Sequence, residues 1–186
     1  MPFSFKELPI AGAYMITNHI FNDDRGSYKK VFLSKAFEDA HLPIRFNESS
    51  FILAKKGSLR GLHYQRNNSQ GKLITVVKGK IFDVFLDLRK ESPSYLRHFE
   101  IELSDNDGVA VYIPEGCAHG FLSMSDDALF FYQSTNDYDP GSSGGIAWND
   151  VDLDIPWPKM ERLIISEKDK KLQSLKEYLE GVKQNG

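Results

Sequence analysis

Arg60-Gly61-Leu62-His63-Tyr64-Gln65 is an apolar, strand-like run that carries a histidine and an arginine three residues apart. A glycine inside a strand marks a bulge or a place where another group approaches the backbone closely. Simple alternation puts Arg60 and His63 on opposite faces of the strand. Both line one site only if the strand is bulged or ends at the mouth of a barrel. A second cluster follows downstream, Ile113-Pro114-Glu115-Gly116-Cys117-Ala118-His119-Gly120-Phe121. Its glycines suggest a tight turn into a strand, with His119 buried and hydrogen-bonded. The two stretches are expected to face one pocket inside a β-barrel.

Outward from this pair, the pattern stays β-rich. Leu73–Val77 and Ile81–Leu88 flank Lys78-Gly79-Lys80, which reads as a tight hairpin with glycine in the turn. Along 81–88, Val84, Leu86 and Leu88 share one face; Asp83, Phe85 and Asp87 share the other. Residues 99–103 alternate cleanly, the mark of a half-solvated strand. Strands are expected at 109–113, 121–124 and 129–135, and short ones between 8 and 21, broken by Pro9 and Gly12. Ser34 is placed to cap a short helix over 35–40 that stops before Pro43. Leu172, Leu175, Leu179 and Val182 recur at helical spacing, on a helix that Ser166 or Asp169 starts. Many short strands, glycine-rich turns and one terminal helix predict an antiparallel β-sandwich or barrel. With no repeat and no linker, residues 1–186 read as a single domain. Its barrel core lies at about 46–135, and flanking segments cover the edges.

Composition narrows the function. The 186 residues are 41% hydrophobic and 26% charged, with a net charge of −3. That balance argues against nucleic acid as a default partner, while the mixing of acidic and basic residues along the chain leaves room for a locally basic pocket. The first ten residues lack the pattern of a signal peptide, and no apolar run is long enough to span a bilayer. A cytoplasmic protein is expected, with neither nucleic acid nor membrane as partner. Cys117 is the lone cysteine. It excludes an internal disulfide and a thiolate-rich zinc site, and reads as a small buried residue.

Metal chemistry finds little support in the spacing. Neither His63 nor His119 has a second histidine two residues on, and His19, His41 and His98 stand in polar contexts that read as solvated. Imidazole is instead suited to take up and return a proton near neutral pH. A base of that kind needs an acceptor to orient its other nitrogen. Asp83 and Asp169 are both candidates for His63. Asp83 lies in an apolar strand, where a buried carboxylate needs a partner, although it also reads as an outward-facing residue. Asp169 also reads as a helix cap. Lys72 precedes a strong strand; buried near the site it would stabilise an enolate oxygen, and otherwise it is a surface lysine. Arg60 offers a fork of donors for phosphate. Tyr132 and Tyr138 are candidate proton donors from the opposite side of a substrate, or packing residues.

The motifs carry more than their spacing. Arg60-Gly-Leu-His-Tyr-Gln65, Gln70-Gly-Lys-Leu73, the stretch from Asp83 to Arg89 and Pro114-Glu-Gly-Cys-Ala-His-Gly-Phe121 come in the order seen in one family. Tyr132, Tyr138, Trp148-Asn-Asp150, Trp157-Pro158 and Ser166-Glu-Lys-Asp169 continue the match. The chain resembles the dTDP-4-dehydrorhamnose 3,5-epimerases over nearly its whole length. The resemblance implies a cupin-type jelly roll that works as a homodimer without metal or cofactor. Its substrate would be a nucleotide-linked 4-keto-6-deoxyhexose used in dTDP-rhamnose and polysaccharide biosynthesis. By the same resemblance His63 removes the protons at C5 and C3, with Asp169 as its partner and Asp83 as secondary support. Tyr132 delivers a proton to the opposite face, and Lys72 steadies the enolate oxygen. Arg60 and His119 line the sugar or phosphate site. Arg25 reaches the diphosphate across the dimer, and Gln70 and Tyr138 line the pocket.

Two segments depart from the family's pattern. Ser27 and Lys30 stand where an aromatic residue and a glutamate are usual. Glu48-Ser49-Ser50-Phe51-Ile52 replaces Gln-Asp-Asn-His-Ser, so Glu48 and Ser50 fall at positions expected to meet the nucleotide base. The departures raise a carrier other than dTDP (GDP, CDP or UDP) and inversion at a single centre as alternatives. A 4-keto sugar ketoisomerase or an inactive sugar-nucleotide-binding cupin are further readings on the same scaffold. A metal-dependent cupin oxygenase would need ligands that these positions do not supply.

Overall fold

In a computed structural model, residues 3–184 are described. The chain forms two antiparallel sheets packed face to face. The six-stranded sheet has the order β1 (Phe3–Glu7), β2 (Tyr14–Asn18), β10 (Val109–Ile113), β7 (Lys72–Lys78), β12 (Ala128–Ser134), β5 (Glu48–Ala54). The five-stranded sheet runs β13 (Ser143–Gly145), β6 (Leu59–Gln65), β11 (Cys117–Ser123), β8 (Lys80–Asp87), β9 (His98–Ser104). β3 (Ile20–Asp23) and β4 (Gly26–Lys29) form a separate ribbon. The architecture is the jelly-roll sandwich, not a closed barrel: the edge strands of the two sheets are not hydrogen-bonded to each other.

Alternation sorts the apolar residues into three layers. Between the sheets lie Ile74, Val76, Phe85, Val111, Phe121 and Phe130. The outer face of the five-stranded sheet buries Leu62, Tyr64, Val84, Leu86 and Leu122 under the C-terminal segment, including Trp157, Leu175 and Leu179. The outer face of the six-stranded sheet buries Leu73, Ala110 and Tyr112 against Phe37 of helix α1 (Ser34–Asp39). β8 is thus buried on both faces, and the alternation of Val84 and Leu86 against Asp83 and Phe85 separates two cores rather than core from water.

Three local expectations need correction. Lys78-Gly79-Lys80 does not close a hairpin, because β7 and β8 belong to different sheets. Gly79, at φ +79°, carries the chain across the sandwich, and a β-carbon there would meet Ser125 Oγ at 2.2 Å. Ser125 Oγ accepts the N–H of Lys80, and Asp105 accepts that of Gly79, so side chains replace the pairing a hairpin would have supplied. Ser34 does not cap α1; Leu33 holds that position and no side chain caps it. The C-terminal helix α2 (Leu175–Gln184) begins later than expected. Ser174 Oγ accepts the N–H of Glu177 and Glu177 Oε2 accepts that of Ser174, a reciprocal capping box. Ser166 Oγ instead accepts the N–H of Asp169, the first residue of a single 3-10 turn at Asp169–Lys171 whose cap position is held by Lys168.

Candidate active site

The pairing of β6 with β11 shows how Arg60 and His63 reach one site. His119 stands opposite His63 and Phe121 opposite Arg60, so two steps along β11 match three along β6. β6 is bulged there, which cancels the alternation and turns both side chains to one cavity. Two glycines permit the close approach. Gly61 sits at φ +109°, and a β-carbon on it would meet Gly120 Cα at 2.5 Å. One on Gly120 would meet the carbonyl oxygen of Arg60 at 2.6 Å.

The cavity, about 260 Å³, opens between the sheets. The five-stranded sheet contributes Arg60, His63 and His119; the six-stranded sheet contributes Lys72 and Tyr132. Gln70 and Tyr138 line it from loops. His63 Nε2 lies 2.7 Å from Asp169 Oδ1, and Asp169 is 4% exposed behind it. His119 Nε2 makes the corresponding bond to Asp83 Oδ1, also at 2.7 Å. Asp83 therefore partners His119, not His63, because it faces inward beside β11. Glu48 is not in the wall but accepts the N–H of Tyr138 at 2.7 Å, which fixes that loop. Ser50 is exposed on β5, in register with Tyr132. Arg25 lies outside this cavity, at the exposed turn of β3–β4, where it pairs with Asp23.

Burial sets the proton affinities. It pulls the His63 imidazole below its ordinary value; Asp169 opposes the shift, and Lys72 and Lys168 add to it. Lys72, 7% exposed, is pulled down to about 8 by burial despite the carboxylate of Asp83. Burial pushes the Tyr132 phenol up to about 12, with a further contribution from Glu48. The buried Cys117 thiol is likewise pushed up to about 12, which makes it inert at neutral pH. His19 and His41 are exposed, but His98 is only partly so and pairs with Glu100 at 3.1 Å.

Lys168 also lines the cavity and was not singled out from the sequence. Its place next to Asp169 was the available signal. Phe121 lies under the Arg60 guanidinium at 6.0 Å, a cation–π contact that holds the fork in place. Among the described residues, no group of three or more His, Cys, Asp or Glu side chains is placed to hold a metal ion.

With its polar groups gathered between the two sheets of a jelly roll, the protein falls in the class of cupin-type sandwiches with a polar site enclosed between the sheets. Comparison with known proteins gives the family. The model for dTDP-4-dehydrorhamnose 3,5-epimerase matches residues 7–177. The dTDP-4-dehydrorhamnose 3,5-epimerase of Methanothermobacter thermautotrophicus is 41% identical over 177 residues, 94% of this chain and 96% of the relative. That of Escherichia coli is 39% identical over 174 residues, 91% and 93% of the two chains. The crystal structure of the dTDP-6-deoxy-D-glucose-3,5-epimerase of Legionella pneumophila, in complex with dTDP-4-keto-L-rhamnose, superposes with a TM-score of 0.90. It is 35% identical, and the match covers 94% of this chain and 93% of that one. The chain belongs to the dTDP-4-dehydrorhamnose 3,5-epimerase family.

Proposed function

We propose that the protein inverts C3 and C5 of a dTDP-linked 4-keto-6-deoxyhexose, with His63 as base and Tyr132 as acid. The observation that carries this reading is their placement: His63, backed by Asp169, and Tyr132 line one cavity from opposite sheets. With Asp169 ionised, Nε2 of His63 holds the proton and Nδ1 carries the lone pair that takes hydrogen from carbon. The 4-keto group acidifies the C–H bonds beside it. Proton removal leaves an enolate, whose oxygen the Lys72 ammonium stabilises in a dry site. Tyr132 then protonates the other face of the same carbon, and the centre inverts. Solvent restores the phenol and takes the proton from the imidazolium, so no net redox change occurs.

Arg60, His119, Gln70 and Tyr138 hold the sugar and its phosphates, and Glu48 and Ser50 stand toward the base. The protein acts as a cytoplasmic homodimer, in which Arg25 of the partner subunit reaches the diphosphate. Residues 1–186 act as one domain. The relatives' names and the ligand of the Legionella structure support thymidine as the carrier.

Incubation of the 4-keto sugar with the protein in D2O tests the chemistry. Deuterium is expected at both C3 and C5. Label at C3 alone would mean inversion of one centre, and no label would end the epimerase reading. Thermal-shift titration with dTDP, GDP, CDP and UDP tests the carrier, and selective stabilisation by dTDP is the expected result.

A further inference from the structure

A second cavity, of about 420 Å³, lies beneath helix α2 on the far side of β6 from the proposed substrate site. It is larger than the pocket between the sheets, at about 260 Å³. Its roof is the face of α2 that carries Tyr178, Gly181 and Val182, and the end of β6 supplies Tyr64 and Gln65. None of Tyr178, Arg66 and Lys90, which line it, borders the substrate pocket.

Three features of this cavity point to the same kind of occupant. The first is charge. Among the described residues, Arg66 and Lys90 stand in its wall and no aspartate or glutamate does, although the chain as a whole carries −3. Such a local excess of one sign draws in the opposite one. The second is ring surface. Tyr64 and Tyr178 meet edge to face with centroids 5.4 Å apart, and Gln173 Nε2 donates to the Tyr64 hydroxyl at 3.0 Å, which fixes that ring. The third is an opening in the roof. Gly181 lies inside α2, where glycine costs about 1 kcal/mol relative to alanine. A β-carbon at Gly181 would meet nothing within 4 Å, so packing does not demand a glycine there. Its effect is to leave the cavity unfilled.

We propose that this cavity is a second binding site, for a small organic anion that carries a planar ring. The ring rests on Tyr64 and Tyr178, and Arg66 and Lys90 take the charge. The site shares a wall with the substrate pocket, because Tyr64 and Gln65 line both. Gln65 Nε2 donates to the carbonyls of Asn68 and Asp137, and its Oε1 accepts the N–H of Asp139. An occupant thus touches the side chain that holds the backbone on both sides of Tyr138.

The test uses the full chain and 1-anilinonaphthalene-8-sulfonate, an aromatic sulfonate whose fluorescence reports binding. Saturable binding of one probe per chain is expected, unchanged when dTDP fills the pocket between the sheets. The double variant Arg66→Glu/Lys90→Glu should weaken binding roughly tenfold or more. Gly181→Phe should abolish it by filling the space, with no change of charge. Both variants should unfold cooperatively and keep the deuterium wash-in of the parent, because none of these residues borders the substrate pocket. Displacement of the probe by dTDP, or equal affinity in parent and charge-reversed protein, would overturn the proposal. A crystal soaked with the probe gives an independent answer: density against Tyr178 supports the site, and density elsewhere alone refutes it. The variants and the soak decide without dTDP, so a failure of dTDP to bind would count against the proposed function and not against this cavity.

Discussion

His63 and Asp169, 106 residues apart in sequence, meet at 2.7 Å. The carboxylate is held from a second side, where the N–H of Gly61 reaches Asp169 Oδ2 at 3.4 Å. A buried carboxylate so placed fixes which nitrogen of the imidazole carries the proton, and it opposes the loss of basicity that burial causes. Asp169→Asn keeps the shape but removes the charge. Loss of turnover on the order of 10²-fold is expected, within the range that a positioned general base contributes. The same variant should move the acid limb of kcat/KM to lower pH, because Asp169 raises the affinity of His63 for protons. A limb that stays in place would show that Asp169 does not act through His63.

The pH profile follows from two shifts in one direction. His63 must be neutral to act, and its proton affinity lies below the ordinary 6.5, so the acid limb of kcat/KM should fall below pH 6.5. Lys72 must be protonated, and its value of about 8 places the alkaline limb there. Lys72→Met should lower the rate and erase the alkaline limb. Asp83 raises the Lys72 value, so Asp83→Asn should pull that limb below pH 8 while leaving the acid limb nearly unmoved. An alkaline limb that survives Lys72→Met belongs to another group.

Much of this arrangement could be read before the coordinates, and the parts that could not share a cause. The strand at 109–113 and the inward His119 follow from local pattern, because periodicity and glycine act over a few residues; around Gly61 the pattern left a bulge and a strand end as alternatives, and only the β6–β11 register decides for the bulge. Lys78-Gly79-Lys80 failed because a tight turn within one sheet and a crossing between two sheets use the same glycine conformation; only the strands' partners distinguish them. Asp83 failed for a similar reason. Alternation placed it on the face of Phe85 but left inward and outward readings open, and its choice between His63 and His119 depends on β8 lying beside β11. Asp169 comes from a 3-10 turn outside both sheets, so no strand pattern reports it; it stood beside Asp83 as a candidate partner for His63, and family resemblance chose between the two. The capping box at Ser174 was present as Ser-Leu-Lys-Glu, yet the apolar spacing that begins at Leu172 drew the predicted start upstream.

Gly61 and Gly181 predict opposite results for one substitution. At Gly61 the backbone has φ +109° and a β-carbon would lie 2.5 Å from Gly120 Cα, a main-chain atom that cannot move without breaking the β6–β11 pairing. Gly61→Ala should destabilise the fold by about 3 kcal/mol or more, from strain and steric conflict together. Gly181→Ala meets open space on a helix and should stabilise by about 0.5–1 kcal/mol. Denaturant unfolding of the two variants checks both signs. Equal stabilities would mean that β6 and β11 do not approach as closely as described.

Tyr132 lets proton removal be separated from inversion. It stands on the six-stranded sheet, across the cavity from His63 on the five-stranded one, and burial holds its phenol at about 12. The phenol therefore stays protonated throughout the working range and adds no limb of its own below pH 8. Tyr132→Phe leaves the base in place and removes only the donor on the opposite face. Solvent deuterium should still enter the substrate, returned by His63 to the face it came from, while the yield of inverted sugar falls on the order of 10²-fold. Chiral analysis of the labelled sugar measures the two outcomes separately. Exchange and inversion lost together would place Tyr132 in substrate binding, and inversion at the parent's rate would assign the acid to another group.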